Sequence, residues 1–298
     1  MILDGGLATE LERRGHHVSG ALWSAEVLRT DPAAIEQLHY DYFAAGARCA
    51  ISASYQASYE GFAAAGLNAD ETTALLIRAV ELARSARARY RSDYPSERGA
   101  LYVAASIGPY GAISHDGAEY RGDYGLSVAQ LAGFHAQRFA VLAAAGADLL
   151  ACETIPVLDE ARALAALLAD HPGAAAWMSF TSPDGVHTSH GEPLVECARL
   201  LDRVPGVVAV GVNCVKPEVV GAAIRSLNAG TGKAVVVYPN SGEHWDGRTR
   251  GWHGTCDHES LATLAPHWVR DGARLVGGCC RIGPREIAEL DEALSRAG

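Results

Sequence analysis

The feature that most constrains the fold of this chain is a regular alternation of short apolar runs with longer helical stretches. The runs are Met1–Leu3, Arg48–Ser52, Leu101–Ser106, Asp148–Glu153, Ala176–Phe180, Val207–Val212, Ala234–Tyr238 and Arg274–Gly277. Most are almost continuously apolar, as strands are when both faces of a parallel sheet are covered. Helical segments lie between them at Pro32–Ala45, Ala69–Tyr90, Ser127–Ala145, Leu158–Leu168, Leu194–Leu201, Pro217–Leu227, Ser260–Val269 and Pro284–Ala297. Asp31 is an N-cap signal ahead of a proline at the first helical position. Gly146 stands where a helix-ending left-handed glycine belongs. Strand–helix alternation with eight strands predicts an α/β fold of the (β/α)8 TIM-barrel type, one domain over residues 1–298. The competing open doubly wound sheet lacks a GxGxxG turn after any of the runs.

Composition excludes several partners. The chain is 49% hydrophobic and 20% charged, enough apolar material for one large core. A formal net charge of −10 argues against nucleic acid, which needs a basic face. No window approaches the ~20 apolar residues of a membrane span. Met1–Gly6 enters structure without a basic segment before an apolar one, so a cytoplasmic protein without a signal peptide is expected. Seven cysteines are then expected to be reduced rather than paired. Cys49, Cys152 and Cys197 lie in or beside apolar stretches and read as small buried hydrophobes.

The other cysteines carry chemistry. Cys214 ends the sixth run, and Cys279 and Cys280 end the eighth, after Gly277-Gly278. Asp4 follows the first run, and Glu153 closes the fourth. In a barrel all five share the carboxyl-end rim, where barrel enzymes place their active sites. Three thiolates suit zinc and leave its fourth position open, the mark of a catalytic site. A cluster of such charge favours alkylation of a bound thiol over hydrolysis of a bond by water. Two long loops rise on the same side. One is Gly108–Leu126, whose length marks it as functional, and the other is Pro239–Trp245. A rival metal set of His253, Cys256 and His258 reads as a solvated connection. A phosphate cradle at Gly277-Gly278 with Arg281 is the other competitor.

On these residues the chain resembles the homocysteine S-methyltransferase family, from its N-terminus to its last helix. The resemblance rests on Asp4-Gly5-Gly6 with Ala8-Thr9-Glu10-Leu11, on Gly211-Val212-Asn213-Cys214, and on Gly277-Gly278-Cys279-Cys280-Arg281. Ile51–Ala57, Gly108–Ala112, Glu119–Tyr124 and Tyr238–Glu243 are similar to the bacterial branch that uses S-methylmethionine. The resemblance implies a Zn2+ held by Cys214, Cys279 and Cys280, with homocysteine sulfur as the fourth ligand. It implies that Asp4 and Glu153 hold the substrate ammonium. The substrate carboxylate is assigned to backbone N–H groups around Gly5 and Gly6, with the Ser52 hydroxyl. A sulfonium donor, S-methylmethionine or S-adenosylmethionine, calls for aromatic faces. Trp23 and Tyr55 are the candidates, with Gln56, Tyr110 and Tyr120 behind them. The segments that hold the betaine-using relatives together are absent, so a monomer is expected. The alternative function is a non-catalytic zinc-binding or redox-sensing barrel, which requires a fourth protein ligand.

Overall fold

The computed structural model describes residues 1–16, 24–114, 117–246, 251–253 and 259–297. Seven parallel strands form one sheet in the order in which they occur along the chain. They are β1 (Cys49–Ile51), β2 (Tyr102–Ile107), β3 (Leu149–Ile155), β4 (Ala176–Phe180), β5 (Val207–Asn213), β6 (Ala234–Tyr238) and, after a separate hairpin, the last strand Ala273–Val276. The hairpin pairs β7 (His244–Asp246) with β8 (Gly251–His253), so the last sheet strand is β9. Their interiors are buried along nearly their whole length, as the continuous apolar runs require.

Seven strands stand where eight are expected. The run Met1–Leu3 forms two isolated bridges instead of a strand: Ile2 pairs with Val276 and Leu3 with Cys49. Three residues followed at once by Asp4-Gly5-Gly6 are too few for a regular ladder. They still touch both edges of the sheet, because Leu3 N–H donates to Val276 O at 2.8 Å and Asp4 N–H to Cys49 O at 3.0 Å.

Helices cover the outer face. Those in the first half are α1 (Leu7–Arg13), α2 (Ser24–Thr30), α3 (Pro32–Ala44), α4 (Tyr59–Ala64), α5 (Ala69–Asp93) and α6 (Val128–Ala144). Those in the second half are α7 (Leu158–Ala169), α8 (Leu194–Asp202), α9 (Pro217–Asn228), α10 (Leu261–Asp271) and α11 (Pro284–Ala297). Asp31 caps α3 by accepting from Ala34 N–H, and Gly146 at φ 83° follows the end of α6, both as the sequence predicts. Helices α1, α2 and α4 and the β7–β8 hairpin were not expected. The three helices have 7, 7 and 6 residues, shorter than the span over which a 3.6-residue period becomes visible.

Two apolar layers result. The larger packs helix residues such as Ile35, Leu76, Phe139 and Leu164 against the outward strand residues. The smaller lies on the other face of the sheet and contains Leu3, Cys49, Ala104, Ala151, Trp177, Ala209, Val236 and Tyr238. Each inner-layer strand residue comes from the same alternation that sends its neighbour outward. Among the described residues no helix is long and apolar enough to cross a membrane.

Candidate metal centre and substrate pocket

A parallel sheet puts all its carboxyl ends on one side, and a cavity of about 120 Å³ opens there. Its lining includes Gly5 and Gly6, Ser52, Tyr55 and Gln56, Glu153 and Thr154, and Cys214, Cys279 and Cys280. Glu119 and Tyr120 from the long loop after β2 complete the wall.

The three sulfurs lie within 4.8 Å of one another, each half-buried. Cys214 follows β5 and is held by its N–H donating to Tyr238 O at 3.1 Å. Cys279 N–H donates to Pro239 O at 2.7 Å, and Cys280 O accepts from Ser241 N–H at 3.1 Å. The loop after β6 therefore sets the position of both vicinal cysteines. Cys214 and Cys279 are joined as a disulfide, and Cys280 Sγ lies 3.8 Å from Cys214 Sγ. This corrects the expectation that every thiol is reduced. Convergence on a point small enough for one ion also brings two sulfurs within bonding reach. Burial, then the carboxylates of Glu119 and Glu153, push the Cys280 thiol up to about 12. A group so disfavoured as an anion needs a cation beside it to become a ligand.

Backbone strain concentrates here. Among the described residues the non-glycine positions with positive φ are Thr154 (61°), Cys214 (50°) and Arg281 (66°), all at this rim. At Thr154 the register of β3 against β4 shifts between Cys152 and Ile155. Successive residues normally face opposite ways. The irregularity lets Glu153 and Thr154 both line the pocket.

Glu153 is clamped from two sides. Ser106 Oγ donates to its Oε1, and Tyr238 OH donates to Oε2 at 3.0 Å. Tyr238 OH also accepts from Trp177 Nε1 at 2.9 Å. Burial raises the Glu153 carboxyl to about 7, against the lowering effect of those hydrogen bonds. Asp4 is 1% exposed and does not line the cavity itself. Its Oδ2 accepts from Ile51 N–H at 2.8 Å, while Oδ1 is buried without a hydrogen-bond partner. Burial, aided by the Glu153 charge, raises its pKa well above the usual carboxylate range.

Asn213, the residue before Cys214, is a buried polar link between β3, β4 and the cysteines. Its Oδ1 accepts from Thr154 N–H and from Ser179 Oγ, both at 2.7 Å, and its Nδ2 lies 4.0 Å from Cys279 Sγ. It thus couples the strained residue of β3 to the thiol cluster. Its role, like those of Thr154, Tyr238 and Glu119, is not legible in the sequence. Thr154 follows an ordinary strand run, and Glu119 and Tyr238 carry no individual signal within their motifs; only the pocket brings the three together.

Other expectations need correction. Gly6 N–H donates to Ile282 O at 2.8 Å and so does not serve a substrate carboxylate. Its glycine has another cause, since a Cβ there would sit 2.5 Å from Cys279 O. Ser52 Oγ accepts from Ser106 N–H and meets Ser54 Oγ at 2.8 Å. Ser54 gives its own proton to Ser106 O, so the Ser52 proton goes to Ser54. Ser52 therefore ties β1 to β2, its hydroxyl proton committed to Ser54 although the residue lines the pocket. The phosphate reading fails too. Gly277 and Gly278 N–H groups donate to Val237 O and Asp4 O, and Arg281 pairs with Glu243. Tyr110 lies outside the pocket lining and packs on Tyr124 and Phe134, with centroids 5.2 and 4.9 Å away. Trp23, Cys256 and His258, and the side chain of His253, lie outside the described residues.

A parallel α/β sheet with three cysteine sulfurs converging in a carboxyl-end pocket defines a candidate metal centre that, once its disulfide is reduced, could hold one ion. Among the described residues no fourth cysteine, histidine or carboxylate joins the three sulfurs. The homocysteine S-methyltransferase family model matches residues 1–294, and the chain belongs to that family. A homocysteine S-methyltransferase of Escherichia coli (strain K12) is 50% identical, over 97% of this chain and 94% of its own. Homocysteine S-methyltransferase YbgG of Bacillus subtilis (strain 168) is 47% identical, over 97% and 93%. The crystal structure of the homocysteine methyltransferase MmuM from Escherichia coli in its metallated form is similar with a TM-score of 0.89 at 48% identity, covering 98% of this chain and 95% of that one. Its oxidized form gives the same TM-score at 49% identity and the same coverage.

Proposed function

We propose that this protein moves a methyl group from a sulfonium donor, S-methylmethionine first among them, to the sulfur of homocysteine, giving methionine. The observation that carries this reading is the convergence of Cys214, Cys279 and Cys280 in a pocket that also holds a clamped carboxylate and tyrosine faces. Zinc fits the donor set. Three soft cysteine sulfurs within 4.8 Å of one another are a donor set that zinc would accept once the Cys214–Cys279 disulfide is reduced. Bound there, zinc supplies one thing to the chemistry, a homocysteine sulfur held as thiolate at neutral pH.

The chain's own residues do the rest. Glu153 takes the homocysteine ammonium at the cavity wall, and Asp4 behind it, its Oδ1 unpartnered and its carboxyl raised further by the Glu153 charge, adds a second negative charge. A cation at Glu153 relieves the cost of burying both carboxylates. Ser106 and Tyr238 orient Glu153 for it. Tyr55, with Tyr120 and Gln56, offers the surface for the sulfonium. Among the described residues no histidine lines the pocket, so no imidazole stands ready as a base. The two sulfurs need only be held in line. We also infer that the sheet closes as an eight-stave barrel, with residues 1–4 as the eighth stave. The bridges of Ile2 and Leu3 to opposite sheet edges support this.

The test is methionine formation from homocysteine by zinc-loaded, reduced protein. S-methylmethionine, S-adenosylmethionine and betaine are offered separately, with Cys280→Ala as control. Turnover with a sulfonium and loss in the variant are expected. One bound zinc without turnover on any donor would favour the non-catalytic zinc-binding alternative.

A further inference from the structure

The pocket contains one carboxylate that the proposed chemistry leaves without a task. Glu153, with Asp4 behind it, sits on the floor at the strand ends and answers the single ammonium of the acceptor. Glu119 lines the same cavity from the long loop after β2. It belongs to the 3-10 turn Ala118–Tyr120, which follows Gly117 in the left-handed conformation. Two contacts fix that turn. Glu119 O accepts from Thr181 Oγ1 at 3.4 Å, and a Cβ on Gly111 would lie 2.5 Å from Glu119 N, so the loop's two 3-10 turns are packed back to back. Glu119 is next to Tyr120, and both line the cavity together with Cys280. After burial, its charge is the largest influence on the Tyr55 hydroxyl, which it raises. The carboxylate therefore lies beside the aromatic surface at which a sulfonium would rest.

We infer that Glu119 is a specificity-determining residue for the methyl donor, supplying the negative charge that recognises its sulfonium centre. This rests on the proposed methyl transfer. The donor carries a positive sulfur, and the thioether left after transfer does not. A carboxylate at this place therefore favours the donor over its own spent product and over any neutral isostere. In a partly desolvated pocket one such charge pairing changes affinity by about tenfold or more. Aromatic faces alone discriminate less, because they also bind the uncharged shape through its apolar surface.

The experiment uses the full-length, zinc-loaded, reduced protein and its Glu119→Gln variant, which keeps shape and removes charge. KM is measured for S-methylmethionine and for homocysteine. Inhibition is measured with 2-amino-5-methylhexanoate, in which a neutral carbon replaces the sulfonium sulfur of S-methylmethionine and the amino-acid end is kept. The expected result is a donor KM raised about tenfold or more, with homocysteine KM and inhibition by the neutral isostere changed less than about twofold. Unchanged inhibition shows an intact pocket, so the loss is one of charge. An unchanged donor KM would overturn the inference. So would donor, acceptor and isostere all weakening together, since that marks a structural role for the turn. Absence of turnover with any sulfonium in the wild-type protein would instead defeat the underlying reading, and this inference with it.

Discussion

At the scale of single residues, the cysteines were legible because a thiol at a strand end has few structural reasons to be there. Their partners were not. Asn213 and Tyr238 look like the last residues of apolar strands, and Thr154 gains its place from an irregularity in β3 that no local pattern announces. Cys280→Ala should remove bound zinc and lower turnover by at least ~100-fold, as loss of one of three ligands does. Metal analysis and initial rates check this. Asn213→Ala should weaken zinc retention or rate by about 10- to 100-fold through misplaced Cys279, read in a chelator competition. Glu153 predicts two pH effects. Its carboxyl is raised from 4.5 to about 7, so the fold keeps a proton that the unfolded chain has already lost. The stability this group contributes is complete below pH 4.5 and is lost as pH rises to about 7, by up to about 3 kcal/mol. Asp4 and Glu160, raised by burial too, slope the same way. The signal is therefore the difference between wild type and Glu153→Gln, which should flatten part of the metal-free denaturation curve. Ammonium binding has the opposite sign, because only the ionised Glu153 attracts it. Homocysteine KM should fall as pH rises through about 7.

At the scale of elements, the long loop after β2 was expected to be functional from its length and side. How it is held was not legible. Its start is bolted to α6 and α7 by a buried trio of Arg138, Glu160 and, between them, a His135 that burial keeps neutral. His135 Nε2 lies 2.8 Å from Glu160 Oε1, and Arg138 Nε donates to His135 Nδ1 at 3.2 Å. Arg138 also donates to Gly108 O, and Glu160 Oε1 accepts from Tyr110 N–H at 2.5 Å. Arg138 and Glu160 are almost wholly buried. In the sequence they read as charged positions on helical stretches, because a helix hides which of its charges faces inward. Glu160→Ala leaves Arg138 without its counter-charge, so it should cost about 3–5 kcal/mol. Thermal unfolding checks this, and Glu160→Gln, which keeps part of the hydrogen bonding, should cost less.

At the scale of the whole molecule, alternation of strand and helix was enough to predict a parallel sheet with its chemistry at the carboxyl ends. The eighth strand was over-read. Met1–Leu3 has the composition of a strand but only length enough for one bridge to each edge. Those bridges nevertheless bring Asp4-Gly5-Gly6 against Cys279–Ile282, so the segment that touches both sheet edges also builds one wall of the pocket. Leu3→Ala, at a wholly buried position, should cost about 2–5 kcal/mol, and should lower zinc retention along with the unfolding temperature. The central claim is that three cysteine sulfurs leave one place for the substrate's own sulfur. X-ray absorption at the zinc edge tests it, on reduced, zinc-loaded protein with and without homocysteine. Three sulfur neighbours from Cys214, Cys279 and Cys280, rising to four when homocysteine is added, is the predicted result. A sulfur count that homocysteine leaves unchanged would contradict it.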